Sequence, residues 1–149
     1  MAELETVVDQ TVRIAAPPEV VFEYFVDPQK LVSWIGSSAV LEARPGGRFW
    51  VDMNGIDVAA GQFLEIEPPT RVVFSWGWEK GGPPMAPGSS TVEVTLTPDG
   101  TDTVVRLIHR DIPEPFLESH GAGWSEHFAT LVALADSGRL VSGSADAEL

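Results

Sequence analysis

The segment "VVDQTVRI", residues 7–14, alternates: Val8, Gln10, Val12 and Ile14 fall on one face, Asp9, Thr11 and Arg13 on the other. A period of two predicts a strand with a single buried side. The period then lengthens. In "AAPPEVVFEYFVDP" the pair Pro17-Pro18 suits a helix start, where a missing N–H costs nothing. At 100° per residue Glu19, Glu23 and Asp27 share one side, while Val21, Phe22 and Phe25 crowd the other. Pro28 breaks this helix and opens a second short one over "PQKLVSWIG", with Leu31 and Trp34 three residues apart and Gly36 as its stop.

From 39 to 110 the period returns to two. "GGRFWVDMNG", "VAAGQFLEIEPP", "RVVFSWGWE", "SSTVEVTLTPDG" and "DTVVRLIHRD" read as successive antiparallel strands, with a weaker one near Val40–Glu42. Asn54-Gly55 and Asp99-Gly100 are favourable hairpin pairs. Pro68-Pro69 ends its strand, because proline cannot donate to the ladder. The facing sets are Phe49, Val51, Met53; Val72, Phe74, Trp76, Trp78; Val92, Val94, Leu96; and Val105, Leu107, His109. Residues 57–67 give two answers: Leu64 and Ile66 make one face and Phe63 the other, with Gly61 as the expected bulge.

Residues 114–137 form the last element. Trp124, Phe128, Leu131 and Ala135 recur at i, i+4, i+7 and i+11, one stripe of a long amphipathic helix. His120 lies one turn before Trp124 on the same side, His127 at the edge of the stripe, and Gly138 is the cap. The order is strand, two short helices, about six strands and a long helix, an α+β arrangement. A curved antiparallel sheet with one apolar face needs a cover, and only the C-terminal helix is long enough, since ~20 residues span roughly 30 Å. The two short helices plug one end. At the other, a curved sheet stands off a straight helix and leaves a hollow.

Length and composition narrow the picture. A chain of 149 residues reads as one domain, residues 1–137, followed by an aperiodic tail, 138–149, that is expected to be flexible. There is no cysteine, which excludes disulfides, thiolate metal sites and thiol nucleophiles. Nine basic against 22 acidic residues give a formal charge of −13, which repels phosphate backbones and anionic headgroups. Neither nucleic acid nor a membrane surface is an expected partner. The N-terminus does not read as a signal peptide, and no apolar run approaches the roughly 20 residues of a bilayer span, so a cytoplasmic location is expected.

The series "PPEVVFEYFVDPQKLVSWIG", "RPGGRFWVDM", "GQFLEIEPPTRVVFSW", "GSSTVEVTLTPDG" with "VRLIHRDIP", and "GAGW" resembles the SRPBCC (START-like) superfamily in collinear order over about residues 8–136. The resemblance is to the branch named after the activator of the ninety-kilodalton heat-shock-protein ATPase. It implies a helix-grip fold: a curved antiparallel sheet of six to seven strands wrapped around the long C-terminal helix, with two short helices after the first strand and a deep, mostly apolar cavity. The superfamily includes lipid and polyketide binders, aromatase/cyclases and hormone receptors, which share a cavity and no invariant catalytic set. Ser37 stands after "SWIG" where many relatives have proline, and nothing in the sequence resembles the additional N-terminal domain of the eukaryotic heat-shock activators.

Ten residues are candidates for a ligand site: Trp34, Phe49, Met53, Phe74, Trp76, Trp78, His109, His120, Trp124 and Phe128. Each aromatic among them fits an ordinary core equally well, but Trp76, Trp78 and Trp124 lie at the open ends of their elements, and indole offers both an N–H and a π face. The three histidines have no HxH or HExxH spacing, so no metal site is expected, nor any cofactor. Gly46-Gly47 precedes a strand and is a turn rather than a phosphate loop. Arg13, Arg48, Arg71 and Arg106 alternate to the outer face, which leaves the hollow without a cation. The expected function is therefore binding of a neutral or cationic hydrophobic small molecule, without catalysis. The alternatives are a polyketide cyclase/aromatase-like enzyme, with His109 and His120 moving protons, and a co-chaperone stimulating a heat-shock-protein ATPase; homodimerisation stays open.

Overall fold

The computed structural model describes residues 7–141. Strand β1 (Val7–Ile14) leads into helices α1 (Pro18–Val26) and α2 (Pro28–Leu31), followed by β2 (Ser38–Leu41), β3 (Arg48–Asp52), β4 (Val58–Glu67), β5 (Arg71–Trp76), β6 (Trp78–Lys80), β7 (Ser90–Asp99) and β8 (Asp102–Arg110). A 3-10 turn (Glu114–Phe116) then enters helix α3 (Leu117–Asp136). All eight strands pair antiparallel in the order β1-β8-β7-β5-β4-β3-β2, with β6 on β4. This is the helix-grip arrangement, with eight strands where six to seven are expected from the resemblance.

The registers carry the expected faces inward. Val92, Val94 and Leu96 pair with His109, Leu107 and Val105, and all six side chains are buried. They meet the stripe Trp124, Phe128, Leu131 and Ala135 of α3 in one core. Outside, the arginines pair with acids: Arg13 with Asp99 and Asp102, Arg106 with Asp9, and Arg71 with Glu65, Glu67 and Glu93.

Three local expectations change. The strand expected over 71–79 breaks at Gly77 into β5 and β6. The ambiguous strand β4 buries Phe63 and turns Leu64 outward, and its bulge lies between Phe63 and Glu65, not at Gly61. Gly61 serves a close approach instead, since a Cβ there would stand 2.0 Å from the Ser75 carbonyl oxygen. Helix α2 stops at Leu31, short of the expected Gly36; Asp27 caps it by accepting from the Gln29 and Lys30 amides.

Gly138, Arg139 and Val141 of the expected tail make hydrogen bonds. Arg139 N donates to Leu134 O, Val141 N to the Tyr24 hydroxyl, and Lys30 Nζ to Val141 O. Lys30 is buried, pairs with Glu23 and lies over the Tyr24 ring. The remainder of that tail, 142–149, lies outside the described residues.

Candidate functional site

Strand β5 delivers Trp76 to the open end of the sheet, and Gly77 lets the chain fold back over it. A Cβ at Gly77 would lie 1.8 Å from Ala86 O, so only glycine admits the returning loop. Trp78 N donates to Met85 O, and Gly88 N to Ala60 O, which fastens the Gly/Pro-rich segment 81–88 as a wall rather than a free loop. Behind it lies a cavity of ≈ 240 Å³. Met53 and Asp57 line it from the β3–β4 connection, Trp76 and Trp78 from the sheet, and Gly82 and Pro83 from the loop. Helix α3 contributes Ser119, His120, Gly123, Trp124 and His127.

Position 123 is where the helix yields the space. Gly123 sits inside the 20-residue α3, and a Cβ there would meet nothing within 4 Å. Glycine in a helix interior costs roughly 0.5–1 kcal/mol relative to alanine.

The walls are held by directional bonds. Trp124 Nε1–H donates to His109 Nδ1 at 3.1 Å. Indole only donates, so Nδ1 accepts and the His109 proton resides on Nε2. Nε2–H then donates to Ser90 Oγ at 2.8 Å, and Ser90 Oγ–H to Trp76 O at 2.7 Å. This relay crosses from α3 through β8 and β7 to β5. Burial pushes the His109 imidazole down to about 3, with His120 nearby as the smaller cause.

A second indole fixes the next imidazole. Trp78 Nε1–H donates to His120 Nε2 at 3.1 Å, so His120 Nδ1–H donates to Phe116 O at 2.8 Å. Burial lowers the His120 pKa, against the opposing effect of that carbonyl. His127 Nδ1–H donates to Trp34 O at 3.1 Å, leaving Nε2 as an acceptor. Burial lowers its pKa too, opposed by the Trp34 carbonyl and by Glu126. All three imidazoles are therefore neutral at pH 7. Trp76 differs from its neighbours: its Nε1–H is buried and meets no acceptor among the described residues.

Among the described residues no Lys or Arg lines the cavity. The charged group among its described lining residues is Asp57, whose carboxylate oxygens accept from Gly82 N at 3.1 Å and Asn54 Nδ2 at 3.0 Å. Among the described residues no group of three His, Asp or Glu side chains is placed to hold a metal ion.

Of the ten sequence candidates, Met53, Trp76, Trp78, His120 and Trp124 lie on the cavity wall. His109 stands one layer behind, through Trp124 and His120. The other four are packed core. Phe49 stacks on Phe74 at 4.1 Å, and Trp34 stacks on Phe128 at 5.8 Å with Phe25 at its edge. These stacks fill the space that a deep cavity would occupy, although Phe128 also borders a groove of ≈ 580 Å³ between β1 and α3, lined by residues such as Gln10, Val12 and Ala129. Asp57, Gly82, Pro83, Ser119, Gly123 and His127 line the open-end cavity as well. The helical period put His127 at the edge of the stripe, and "GAGW" held the glycine; the loop residues had no periodic signal.

Comparison with known proteins follows from the fold. The family model described as "Activator of Hsp90 ATPase homolog 1-like protein" matches residues 15–136. An AHSA1-like protein of Rhizobium etli, solved in solution, is 37% identical with a TM-score of 0.69, covering 87% of this chain and 81% of that one. CalU16 of Micromonospora echinospora is 30% identical with a TM-score of 0.72, covering 86% of this chain and 73% of that one. DynU16, a protein of the dynemicin biosynthetic locus, shares the fold at 23% identity and a TM-score of 0.77; the match covers 91% of this chain and 49% of that one. A Schizosaccharomyces pombe protein is 27% identical over 103 residues, and that match spans 66% of this chain and 27% of the yeast protein's length. Among the described residues no helix is long and apolar enough to cross a membrane.

Proposed function

The chain belongs to the activator of Hsp90 ATPase homolog 1-like family, and on that premise we propose that it is a small-molecule binding protein whose guest enters the indole-walled cavity at the open end of the sheet. One observation carries the reading. In a core otherwise filled by ring stacks, α3 places a glycine at position 123 opposite Trp76 and Trp78, and the space it leaves is unfilled. Apolar pockets walled by aromatics with a few fixed polar groups are the usual form of ligand sites. The absence of a cation in the wall disfavours carboxylate or phosphate guests, which are costly to bury unpaired.

Catalysis finds less support. His109 has both ring nitrogens committed to the relay, so proton transfer through it requires breaking a buried hydrogen bond. The family description also fits contact with a chaperone ATPase, for which stimulated ATP hydrolysis by the purified chaperone is the direct assay.

The test of binding is thermal unfolding against a library of uncharged aromatic and lipid compounds, run beside Gly123→Leu. Guests should raise the melting temperature of the natural chain and not of the variant, whose side chain occupies the hollow. A library that moves neither refutes the reading.

A further inference from the structure

The cavity wall carries a negative charge that no basic side chain balances. Asp57 is half-buried in it. The ion pairs of the described residues join Arg13, Lys30, Arg44, Arg71, Arg106 and Arg110 to acids elsewhere. Lys80 is exposed on β6, opposite Val58, and is not paired with Asp57 among the described residues. The hydrogen bonds that Asp57 accepts come from Gly82 N and Asn54 Nδ2, both neutral donors, so they orient the carboxylate without cancelling its charge. A carboxylate offers about four lone-pair sites, more than these bonds use. Helix α3 adds a second negative source. At His127 burial lowers the pKa, while the Trp34 carbonyl and then the Glu126 charge oppose it, so the field of Glu126 reaches the wall.

The indoles act in the same sense. Trp76 stands at 87° to Trp78 with centroids 5.5 Å apart, and at 51° to Trp124 at 5.4 Å. Crossed planes, unlike a parallel stack, turn ring faces in several directions. Tryptophan attracts cations through the negative face of its π system more strongly than the other aromatics, and the attraction grows as water is excluded. A cation entering the hollow gives up hydration and gains a carboxylate and rings in exchange; an anion gives up hydration and meets repulsion. Size sets the outline. A cavity of about 150 Å³ accommodates benzene, so ≈ 240 Å³ leaves room for about one further fused ring.

Resting on the binding function proposed above, we infer that the cavity selects compact aromatic cations, such as quaternary or protonated ring nitrogens, over neutral and anionic molecules of the same outline, with Asp57 as the counter-charge. Neutral aromatics still enter, more weakly.

Three probes of one bicyclic outline decide this on the natural chain: N-methylquinolinium, 1-methylnaphthalene and 1-naphthoate. Calorimetric titration at physiological salt should rank the quinolinium first, roughly tenfold tighter than methylnaphthalene, and the naphthoate last. Methylnaphthalene should displace the quinolinium, and Gly123→Leu should bind neither. Asp57→Asn should bring the ratio of the two affinities close to one. Glu19→Gln removes the same charge from α1, away from the cavity, and should leave the ratio as it is. Glu126→Gln, on the exposed side of α3, should lower the ratio by a smaller factor and serves if Asp57→Asn fails to fold. Equal affinity for quinolinium and methylnaphthalene, or tighter binding of the latter, overturns the inference while leaving a binding pocket in place. A ratio that falls equally in Glu19→Gln, or quinolinium binding that persists in Gly123→Leu, overturns it by tracing the preference to the acidic surface at large. No binding by any probe overturns the inference, and the broader reading then stands or falls by its own library.

Discussion

Trp124 fixes the protonation state of His109. Its N–H occupies Nδ1 at 3.1 Å, and the imidazole, 0% exposed, has no route to a second proton without losing that bond. The consequence is a pH dependence of defined sign. The unfolded chain binds a proton at His109 near 6.5, whereas the folded chain binds it only near 3. Stability is therefore unaffected above 6.5 and falls as pH drops from there toward 3, by roughly 1.4 kcal/mol per pH unit from this residue alone. Asp9 and Glu93 do not contribute to the upper part of that window. Arg106 and Arg110 respectively hold their carboxyls below the ordinary carboxylate range, and the stability they add is lost only at lower pH. Urea unfolding at about pH 7.5 and about pH 5 should show a drop in His109→Gln that is smaller by up to ~2 kcal/mol than in the natural chain. Equal drops would contradict the assignment.

Trp76 and Trp124 are buried to the same extent, each 3% exposed, yet among the described residues only the Trp124 indole N–H has an acceptor. Phenylalanine at 124 removes a bond and orphans His109 Nδ1, whereas phenylalanine at 76 removes an orphan. Trp124→Phe should therefore be the more destabilising by roughly 1–3 kcal/mol. Urea midpoints for the two variants check the order, and a reversed order would mean that Trp76 Nε1 is satisfied.

Gly123→Ala should stabilise the protein by roughly 0.5–1 kcal/mol, because a helix gains a better former and the new methyl enters open space. A loss of stability at this position would show that the hollow is already occupied by protein.

Gly77→Ala should cost roughly 1–3 kcal/mol, since the Ala86 carbonyl must move to admit a Cβ. Segment 81–88 should lift, exposing Met85 and the Trp78 ring. A red shift of tryptophan emission, with the far-ultraviolet dichroism of the sheet unchanged, is the expected signature.

The sheet was legible because its faces repeat. Val92, Val94 and Leu96 opposite Val105, Leu107 and His109 follow from alternation alone, and the structure pairs them in that register. The stripe of α3 was legible for the same reason. The site was only half legible. Periodicity says that Phe74 and Trp76 point inward, but not that Phe49 stacks on the first while a cavity opens at the second. That difference arises from the shape of the gap between sheet and helix, a property of many residues at once. The wall at 81–88 was hidden because close backbone approach at Gly77 leaves no mark in hydropathy, and the shift at Phe63/Glu65 because a bulge breaks the alternation that would announce it.

The chain of donors from Trp124 through His109 and Ser90 to the Trp76 carbonyl has a bearing on repertoire. A chamber lined by unbranched aliphatics remodels around whatever enters, and tolerates many visitors. Here the orientation of Trp124 is pinned by the relay and that of Trp78 by His120, so adaptation means rupturing bonds that are shielded from water. In a binding protein of the kind proposed, such stiffness would trade promiscuity for discrimination: molecules matching the preset outline would lodge with little reorganisation, and near-misses would be turned away.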